Sequence, residues 1–200
     1  MYGQEKEKYL GGYLDLNNLW GDPGTWSPEI WNKIIKEYHI ESAADIGCGL
    51  GYSTRYFSKK GLYAVGVEGG INAINKSVFE GVLLRNDYTK SSAFTKEEQF
   101  DLIWCCEFVE HVEEQFKYNF LNDFKTGKYI AMSFAEPGKE GYHHVNCQTQ
   151  DYWIKDIEQL GFKFNESYSN DLRQIAKRTN NDQSFTHGGH LENILFFERC

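Results

Sequence analysis

The sequence predicts an α/β domain in which a mostly parallel sheet is covered by helices on both faces. Short apolar runs alternate with stretches of helical periodicity along most of the chain, as in parallel strands joined by crossover helices. The 200 residues are enough for one well-packed domain and too few for two. The last apolar run follows a long polar stretch, so we expect that final strand to pair antiparallel with its neighbours.

Capping signals predict the first helix. Ser27, Pro28 and Glu29 supply an N-cap residue, a proline at the first helical position and an acid in the first turn. Isoleucines then recur at helical spacing, so the helix should end at residues 37–39. We interpret residues 1–25 before it as an ordered arm, because its leucines and aromatic rings are too apolar to remain in solvent.

Strands and helices alternate after the first helix. Each predicted strand is a short apolar run, and the runs occupy residues 43–46, 62–67, 82–84, 100–106, 128–134, 162–164 and 193–198. Helices are predicted where apolar residues share one helical face, at residues 52–60, 71–78, 113–124 and 150–160. Residues 167–191 are polar and weakly helical at best, so no crossover helix is predicted there.

These elements make one domain of residues 1–200, with an arm and helix (1–39), a core (40–166) and a C-terminal loop and strand (167–200). No run of 18 apolar residues occurs, and the N-terminus has no apolar signal region, so we expect neither a membrane span nor export. Five cysteines without a C-x-x-C pair are typical of a reducing compartment. The expected location is the cytoplasm.

The charge balance argues against binding of nucleic acid in bulk. The chain has 29 acidic and 21 basic residues and a formal net charge of −8. Proteins that bind phosphate backbones need basic surface to release counterions. Aromatic residues make up 16% of the chain, which is enough for a large core and for a pocket lined by flat rings. The expected partner is therefore a small molecule, and the oligomeric state stays open.

A glycine-rich turn follows the first predicted strand and precedes a helix. It reads Asp45-Ile-Gly47-Cys-Gly49-Leu-Gly51. Glycines at such a turn allow the backbone to approach a ligand closely and to adopt angles that a Cβ would forbid. The spacing is G-x-G-x-G, whereas the dinucleotide-binding fingerprint is G-x-G-x-x-G. This difference disfavours the alternative of a nicotinamide-dependent oxidoreductase on the same sheet.

Acidic residues end the next two predicted strands. Glu68 closes the second strand, where a carboxylate can accept two hydrogen bonds from a ribose diol, and Asp87 follows the third. Counting Asp45, three acids stand at successive strand ends and would gather at one edge of the sheet. Their negative charges would favour a positively charged ligand there.

Four segments together resemble the class I S-adenosylmethionine-dependent methyltransferases, in particular their small type 11 and type 23 domains. The segments are DIGCGLG, VGVEGG, NDY and FDLIWCCEFVEHV, and the resemblance covers residues 40–166. It implies a Rossmann-like, seven-stranded sheet, mostly parallel with an antiparallel last strand. It also implies S-adenosylmethionine as the cofactor and methyl transfer as the activity.

The resemblance also implies which residues hold the cofactor. Asp45, Gly47, Gly49 and Gly51 would line its methionine and ribose, Glu68 would bind the ribose hydroxyls, and Asp87 would accept from the adenine amine. Glu107 would lie beneath the sulfonium. Tyr88, next to Asp87, is assigned to the same pocket.

An acid–histidine group follows the fourth and fifth predicted strands. Glu107, Glu110 and His111 are spaced to share one face of a helical turn, and His143 and His144 follow the fifth strand. Carboxylates with imidazoles could hold Mg²⁺, Mn²⁺ or Zn²⁺, so Glu107, Glu110, His111 and His144 form a candidate metal site. The same E-x-x-E-H pattern resembles that of the ubiquinone-biosynthesis O-methyltransferases and of metal-assisted RNA 2′-O-methyltransferases.

The expected activity is methylation of a small-molecule acceptor, on oxygen, with His111, His144 and Glu110 as candidate catalytic residues. Without a metal, an imidazole would take the hydroxyl proton. A metal-assisted RNA 2′-O-methyltransferase stays open as an alternative, against which the net charge counts. Trp20 and Trp26 could equally form a lid or core. The run His187-Gly-Gly-His190 could be a second histidine site, and it is interpreted as a flexible turn before the last strand.

Overall fold

The computed structural model describes residues 23–181 and 189–200. The N-terminal arm as far as residue 22, with Trp20, and the stretch with His187 lie outside the described residues. The helices of the remaining chain are α1 (Pro28–Glu37), α2 (Tyr52–Lys59), α3 (Ile71–Asn75), α4 (Lys117–Phe124), α5 (Gln150–Glu158) and α6 (Glu166–Asn181). The strands are β1 (Ser42–Ile46), β2 (Tyr63–Glu68), β3 (Val82–Arg85), β4 (Phe100–Cys105), β5 (Gly127–Met132), β6 (Phe162–Phe164) and β7 (Leu195–Arg199).

All the strands belong to one seven-stranded sheet of order β3-β2-β1-β4-β5-β7-β6. The five strands from β3 to β5 in that order are parallel. Strand β7 lies between β5 and β6 and is antiparallel to both. The predicted sheet, with its antiparallel last strand, is therefore confirmed as a Rossmann-like arrangement.

Helices cover both faces of the sheet because the strand residues alternate between two cores. On one face Trp104 packs with apolar residues of α1, α2 and α6. On the other face Ile103 and Cys105 pack with residues of α4 and α5. The strands are therefore buried on both sides, which explains why they read as continuous apolar runs. Within the part of the chain that is described, no helix is both long and apolar enough to cross a bilayer.

Helix α6 corrects the expectation that residues 167–191 contain no crossover helix. It buries Tyr168, Leu172 and Ala176, which are spaced four residues apart and pack against the α1 side of the core. A single narrow apolar stripe in an otherwise polar segment gives only a weak helical pattern in the sequence. The helix is stabilised mainly by its packing against neighbouring elements. Smaller differences affect helix ends: α3 stops at Asn75, and the helix predicted from residue 113 begins with a 3-10 turn at Glu114–Phe116.

Candidate functional site

The candidate site lies at the edge of the sheet where the parallel strands end. Strands β1, β2, β4 and β5 all present their carboxyl ends there, which is the edge where ligands bind in open α/β sheets. The glycine loop after β1 and the loops after β4 and β5 therefore face a common crevice. Tyr142, in the loop after β5, packs against a small cluster formed by Leu50 of the glycine loop and Ala73.

The three glycines of the loop all have left-handed backbones. The φ angles of Gly47, Gly49 and Gly51 are 73°, 54° and 78°. A Cβ on Gly47 would lie 2.4 Å from the Phe108 ring, whereas a Cβ on Gly49 would meet no atom of the described residues within 4 Å. Gly47 is thus required by packing as well as by conformation, and the space beside Gly49 is open to a ligand.

Asp45 lies beneath this loop and is 2% exposed. Its Oδ2 accepts hydrogen bonds from the hydroxyls of Ser53 and Thr54, both at 2.6 Å. Burial raises the pKa of Asp45 to about 6. These bonds tie β1 to the first turn of α2, so Asp45 supports the glycine loop from inside the protein.

Glu68 ends β2 and is held in place by the backbone. Its Oε2 accepts a hydrogen bond from the Gly49 N–H at 3.0 Å, and its Oε1 accepts one from the Gly70 N–H at 2.7 Å. The carboxylate is therefore fixed beside the glycine loop, at the position predicted for a residue that binds a diol.

Asp87 and Tyr88 differ in their surroundings. Asp87 accepts hydrogen bonds from the backbone N–H and the hydroxyl of Thr89 and forms an ion pair with Lys90 at 2.8 Å. Tyr88 is 5% exposed, and its hydroxyl donates to Asp123 Oδ2 at 2.7 Å. The Tyr88 side chain thus lies in the core, where its ring contacts Phe108, and not on the surface of the crevice as expected.

Glu107 follows β4 with a left-handed backbone, at φ 48°. Such a conformation costs energy for a residue with a side chain and is concentrated at functional sites. Ser133, which is fully buried, holds it there: its hydroxyl accepts from the Glu107 N–H at 3.1 Å and donates to Oε1 at 2.8 Å. The other oxygen, Oε2, lies 3.5 Å from Nδ1 of His190. Ser133 therefore fixes one oxygen of the Glu107 carboxylate, and the other oxygen faces the loop before β7.

Glu110, His111 and His144 converge near Glu107. Glu110 and His111 belong to the 3-10 turn Val109–His111, which provides the helical turn that the spacing predicts. Each residue offers one ligand atom, and these three atoms lie within 4.8 Å of one another. Burial, and next the charge of Glu107, raise the pKa of Glu110. Burial, and next His144, lower the pKa of His111 to about 4.

An open depression of about 500 Å³ lies beside His190, the residue whose Nδ1 faces Glu107. It is lined by Glu136, Pro137, Gly138, Lys139, His190, Glu192 and Asn193. Because Asn193 donates a hydrogen bond to the Phe134 carbonyl, the loop before β7 is fixed to the loop after β5. The depression is polar and carries both signs of charge.

Sequence reasoning missed Ser133 as a site residue, and it preferred a turn to a second histidine site for His190. Nothing in the sequence neighbourhood of His190 places it near β4. Its contact with Glu107 depends on β7 lying next to β5, which puts the preceding loop at the same edge. Trp26, left open between lid and core, packs edge-to-face on Trp31 at 5.0 Å between ring centroids.

Comparison with known proteins gives one family-model match and several similar structures. A protein-family model described as a methyltransferase domain matches residues 44–122. The comparison with curated proteins found no match. An S-adenosylmethionine-dependent methyltransferase from Archaeoglobus fulgidus is 16% identical, with a TM-score of 0.55, and the alignment covers 86% of this chain and 95% of that one.

Two further structures extend the comparison. An S-adenosylmethionine-dependent methyltransferase from Clostridium acetobutylicum is 11% identical, with a TM-score of 0.58, and the alignment covers 74% of this chain and 84% of that one. A phosphoethanolamine N-methyltransferase from Haemonchus contortus is 15% identical, with a TM-score of 0.55; the match spans 90% of this chain and 55% of that one. At these identities each structure is similar in fold.

Proposed function

We propose that this chain is a class I S-adenosylmethionine-dependent methyltransferase that methylates a hydroxyl oxygen of a small molecule, because a methyltransferase-domain model matches residues 44–122 and the fold is similar to that of such enzymes. The observation that carries the proposal is the 3.5 Å contact between His190 and Glu107 at the rim of the depression. An imidazole oriented by a carboxylate is suited to take the proton of a hydroxyl group near neutral pH. The depression, at about 500 Å³, has the size of a small-molecule pocket.

The residues at the crevice fit the cofactor. S-adenosylmethionine supplies the methyl group, on a positively charged sulfonium. Backbone hydrogen bonds from Gly49 and Gly70 fix the two oxygens of Glu68, and a carboxylate held in this way is suited to accept from the hydroxyls of a ribose. The open space beside Gly49 allows a ligand to approach the backbone closely. Asp87 is proposed to accept from the adenine amine, and Asp45 acts indirectly, by fixing the loop.

The acceptor side needs positioning more than covalent chemistry, because methyl transfer is an in-line displacement. Glu107 is proposed to orient His190 with one oxygen, while Ser133 fixes the other. His190 would take the acceptor's proton while the acceptor oxygen displaces S-adenosylhomocysteine from the methyl group, so that the C–O bond forms as the S–C bond breaks. Glu110, His111 and His144, also proposed as site residues, stand beside this pair.

A nitrogen acceptor is the second candidate. The depression carries Glu136 and Glu192, whose charges would favour an amine over a neutral alcohol. The relative from Haemonchus contortus is, by its title, an N-methyltransferase in complex with phosphomonomethylethanolamine and S-adenosylhomocysteine. Its identity of 15% supports the fold and leaves the acceptor to experiment.

Calorimetry with S-adenosylhomocysteine tests the cofactor site. We expect Glu68→Ala to weaken binding by about 1–3 kcal/mol, because the hydrogen bonds to the ribose are lost. Glu80→Ala, which removes an exposed acid before β3, should leave the affinity unchanged. Titration with NADH should give no heat of binding. Absence of S-adenosylhomocysteine binding at millimolar ligand would remove the basis of the proposal.

An acceptor panel tests the second step. Wild-type protein is incubated with S-adenosylmethionine and small alcohols and phenols, small amines, or RNA oligonucleotides, and methylated products are detected by mass spectrometry. With the best acceptor, His190→Asn should lower kcat by about 10²–10⁴-fold and leave the affinity for S-adenosylhomocysteine unchanged. The control is His39→Asn, outside the crevice. Preferential methylation of amines or RNA, or full activity of the His190 variant, contradicts the proposal.

A further inference from the structure

We propose that Glu110, His111 and His144 form a binding site for a divalent transition-metal ion. Their three ligand atoms lie within 4.8 Å of one another. The rings of His111 and His144 are 5.1 Å apart between centroids and nearly perpendicular, at 72°, so they do not stack. Gly141 leaves room for the His144 ring, since a Cβ there would lie 2.2 Å from it. The site is additional to the cofactor residues.

Glu110 is the strongest reason for a cation at this place. Its side chain is 0% exposed, and among the described residues neither carboxyl oxygen has a hydrogen-bond partner. A buried carboxylate without a partner destabilises the fold, and ligation of a metal ion would remove that cost. The Glu110 carbonyl meanwhile accepts hydrogen bonds from the N–H groups of Val145 and Asn146, at 2.9 and 3.0 Å. The loop that carries His144 is thereby fixed to the turn that carries Glu110.

The two imidazoles are oriented as metal ligands usually are. Nδ1 of His111 lies 3.3 Å from the His143 carbonyl, and Nδ1 of His144 lies 3.0 Å from the Lys139 carbonyl. A carbonyl oxygen can only accept, so each Nδ1 carries the proton and donates it. The lone pair of each neutral ring is then on Nε2. Metal-binding histidines characteristically donate their other N–H to a carbonyl or carboxylate in this way.

The ligand set indicates the kind of ion. Two imidazole nitrogens with one carboxylate oxygen suit Zn²⁺ and similar transition metals, whereas Mg²⁺ and Ca²⁺ prefer oxygen ligands. Around a tetrahedral zinc ion the ligand atoms would be about 3.4 Å apart, so binding should contract the cluster slightly. Glu107, which the sequence places in the same set, is engaged by Ser133 and His190 instead. Three protein ligands leave a fourth position for a water molecule or another oxygen ligand.

Metal titration without any cofactor tests the site directly. Protein carrying Cys200→Ser, which removes an exposed thiol, is stripped with a chelator and titrated calorimetrically with Zn²⁺, Mn²⁺ and Mg²⁺. We expect one Zn²⁺ per chain, bound more tightly than the other two ions. His144→Asn and Glu110→Gln should each weaken zinc binding by about 100-fold or more. The matched control, His143→Asn, keeps the backbone carbonyl and should retain the affinity within about threefold.

The outcomes are separable from those of the methyl-transfer experiments, because metal binding is measured without cofactor or acceptor. Circular dichroism first verifies that each variant is folded. Equal zinc affinity of the His144→Asn variant and its parent overturns the proposal, as does a preference for Mg²⁺ or a chelated protein that binds no Zn²⁺. If Glu110→Gln is unfolded, the comparison of His144→Asn with His143→Asn decides by itself.

Discussion

Gly47 and Gly49 share a left-handed backbone but differ in the space around them, and this difference can be measured. We expect Gly47→Ala to lower the free energy of unfolding by about 1–3 kcal/mol more than Gly49→Ala. Both variants incur the cost of a left-handed alanine, about 1–2 kcal/mol, but only at Gly47 does the new methyl group meet the Phe108 ring. Urea denaturation of the two variants and the wild type gives the values.

The same two variants, Gly47→Ala and Gly49→Ala, distinguish an effect on packing from an effect on ligand binding. Gly49→Ala should reduce the affinity for S-adenosylhomocysteine more than Gly47→Ala does, because we propose that the ligand approaches the backbone in the space beside Gly49. Equal losses of stability in the two variants would show that backbone strain alone decides the cost and that Phe108 can move aside.

At the level of single residues, the sequence locates the site better than it assigns the roles. Acids at strand ends are visible as a pattern, so Glu68 and Asp87 could be predicted to lie at one edge. The bonds of Asp45 to Ser53 and Thr54, and of Tyr88 to Asp123, depend on which side chains are brought together by folding. The contact of His190 with Glu107 could not be predicted for the same reason.

Among the elements, α6 shows why a helix can escape prediction. Its buried face consists of Tyr168, Leu172 and Ala176, while most of its other side chains are polar. Such a segment has too little apolar surface to be recognised alone, and it becomes helical because α1 and β7 supply the opposite surface. The helices with wide apolar faces, such as α1 and α5, were predicted to within a few residues.

The importance of that narrow face can be tested by one substitution. Leu172→Ala should lower the free energy of unfolding by about 2–4 kcal/mol, because Leu172 is fully buried in the core between α6 and α1. Gln174→Ala, on the exposed side of the same helix, should change it by less than about 0.5 kcal/mol. Chemical denaturation followed by circular dichroism measures both. A loss below about 1 kcal/mol for Leu172→Ala would mean that α6 is only loosely attached.

In the whole molecule, the position of β7 connects fold and site. The antiparallel last strand could be predicted from its long connection and from the resemblance. Its insertion between β5 and β6 was not part of that prediction, and it is this insertion that brings His190 to Glu107.

The same edge of the sheet gathers carboxylates whose titration affects the stability of the entire fold. Asp45 is the clearest case, because burial raises its pKa to about 6 from an ordinary value of 3.8.

The sign of this effect follows from proton binding. Between about pH 4 and 6 the folded protein keeps a proton on Asp45 that the unfolded chain has released, so the free energy of unfolding falls as pH rises. The shift from 3.8 to about 6 corresponds to about 2–3 kcal/mol lost over this interval. An asparagine at the position cannot ionise and should not show the loss.

We therefore expect the cofactor-free Asp45→Asn variant to gain stability relative to the wild type, by up to about 2–3 kcal/mol, as pH rises from 4 to 7. Urea denaturation at half-unit pH steps measures the difference between the two proteins, which cancels the titration of all other groups. Asp87→Asn is the control of opposite sign. Burial alone would raise the pKa of Asp87, but hydrogen bonds with Lys90 and Thr89 lower it. The free energy of unfolding of Asp87→Asn should therefore fall relative to that of the wild type as pH rises through about 4. A pH-independent difference between the wild type and Asp45→Asn would mean that Asp45 ionises in the folded protein as readily as in the unfolded chain.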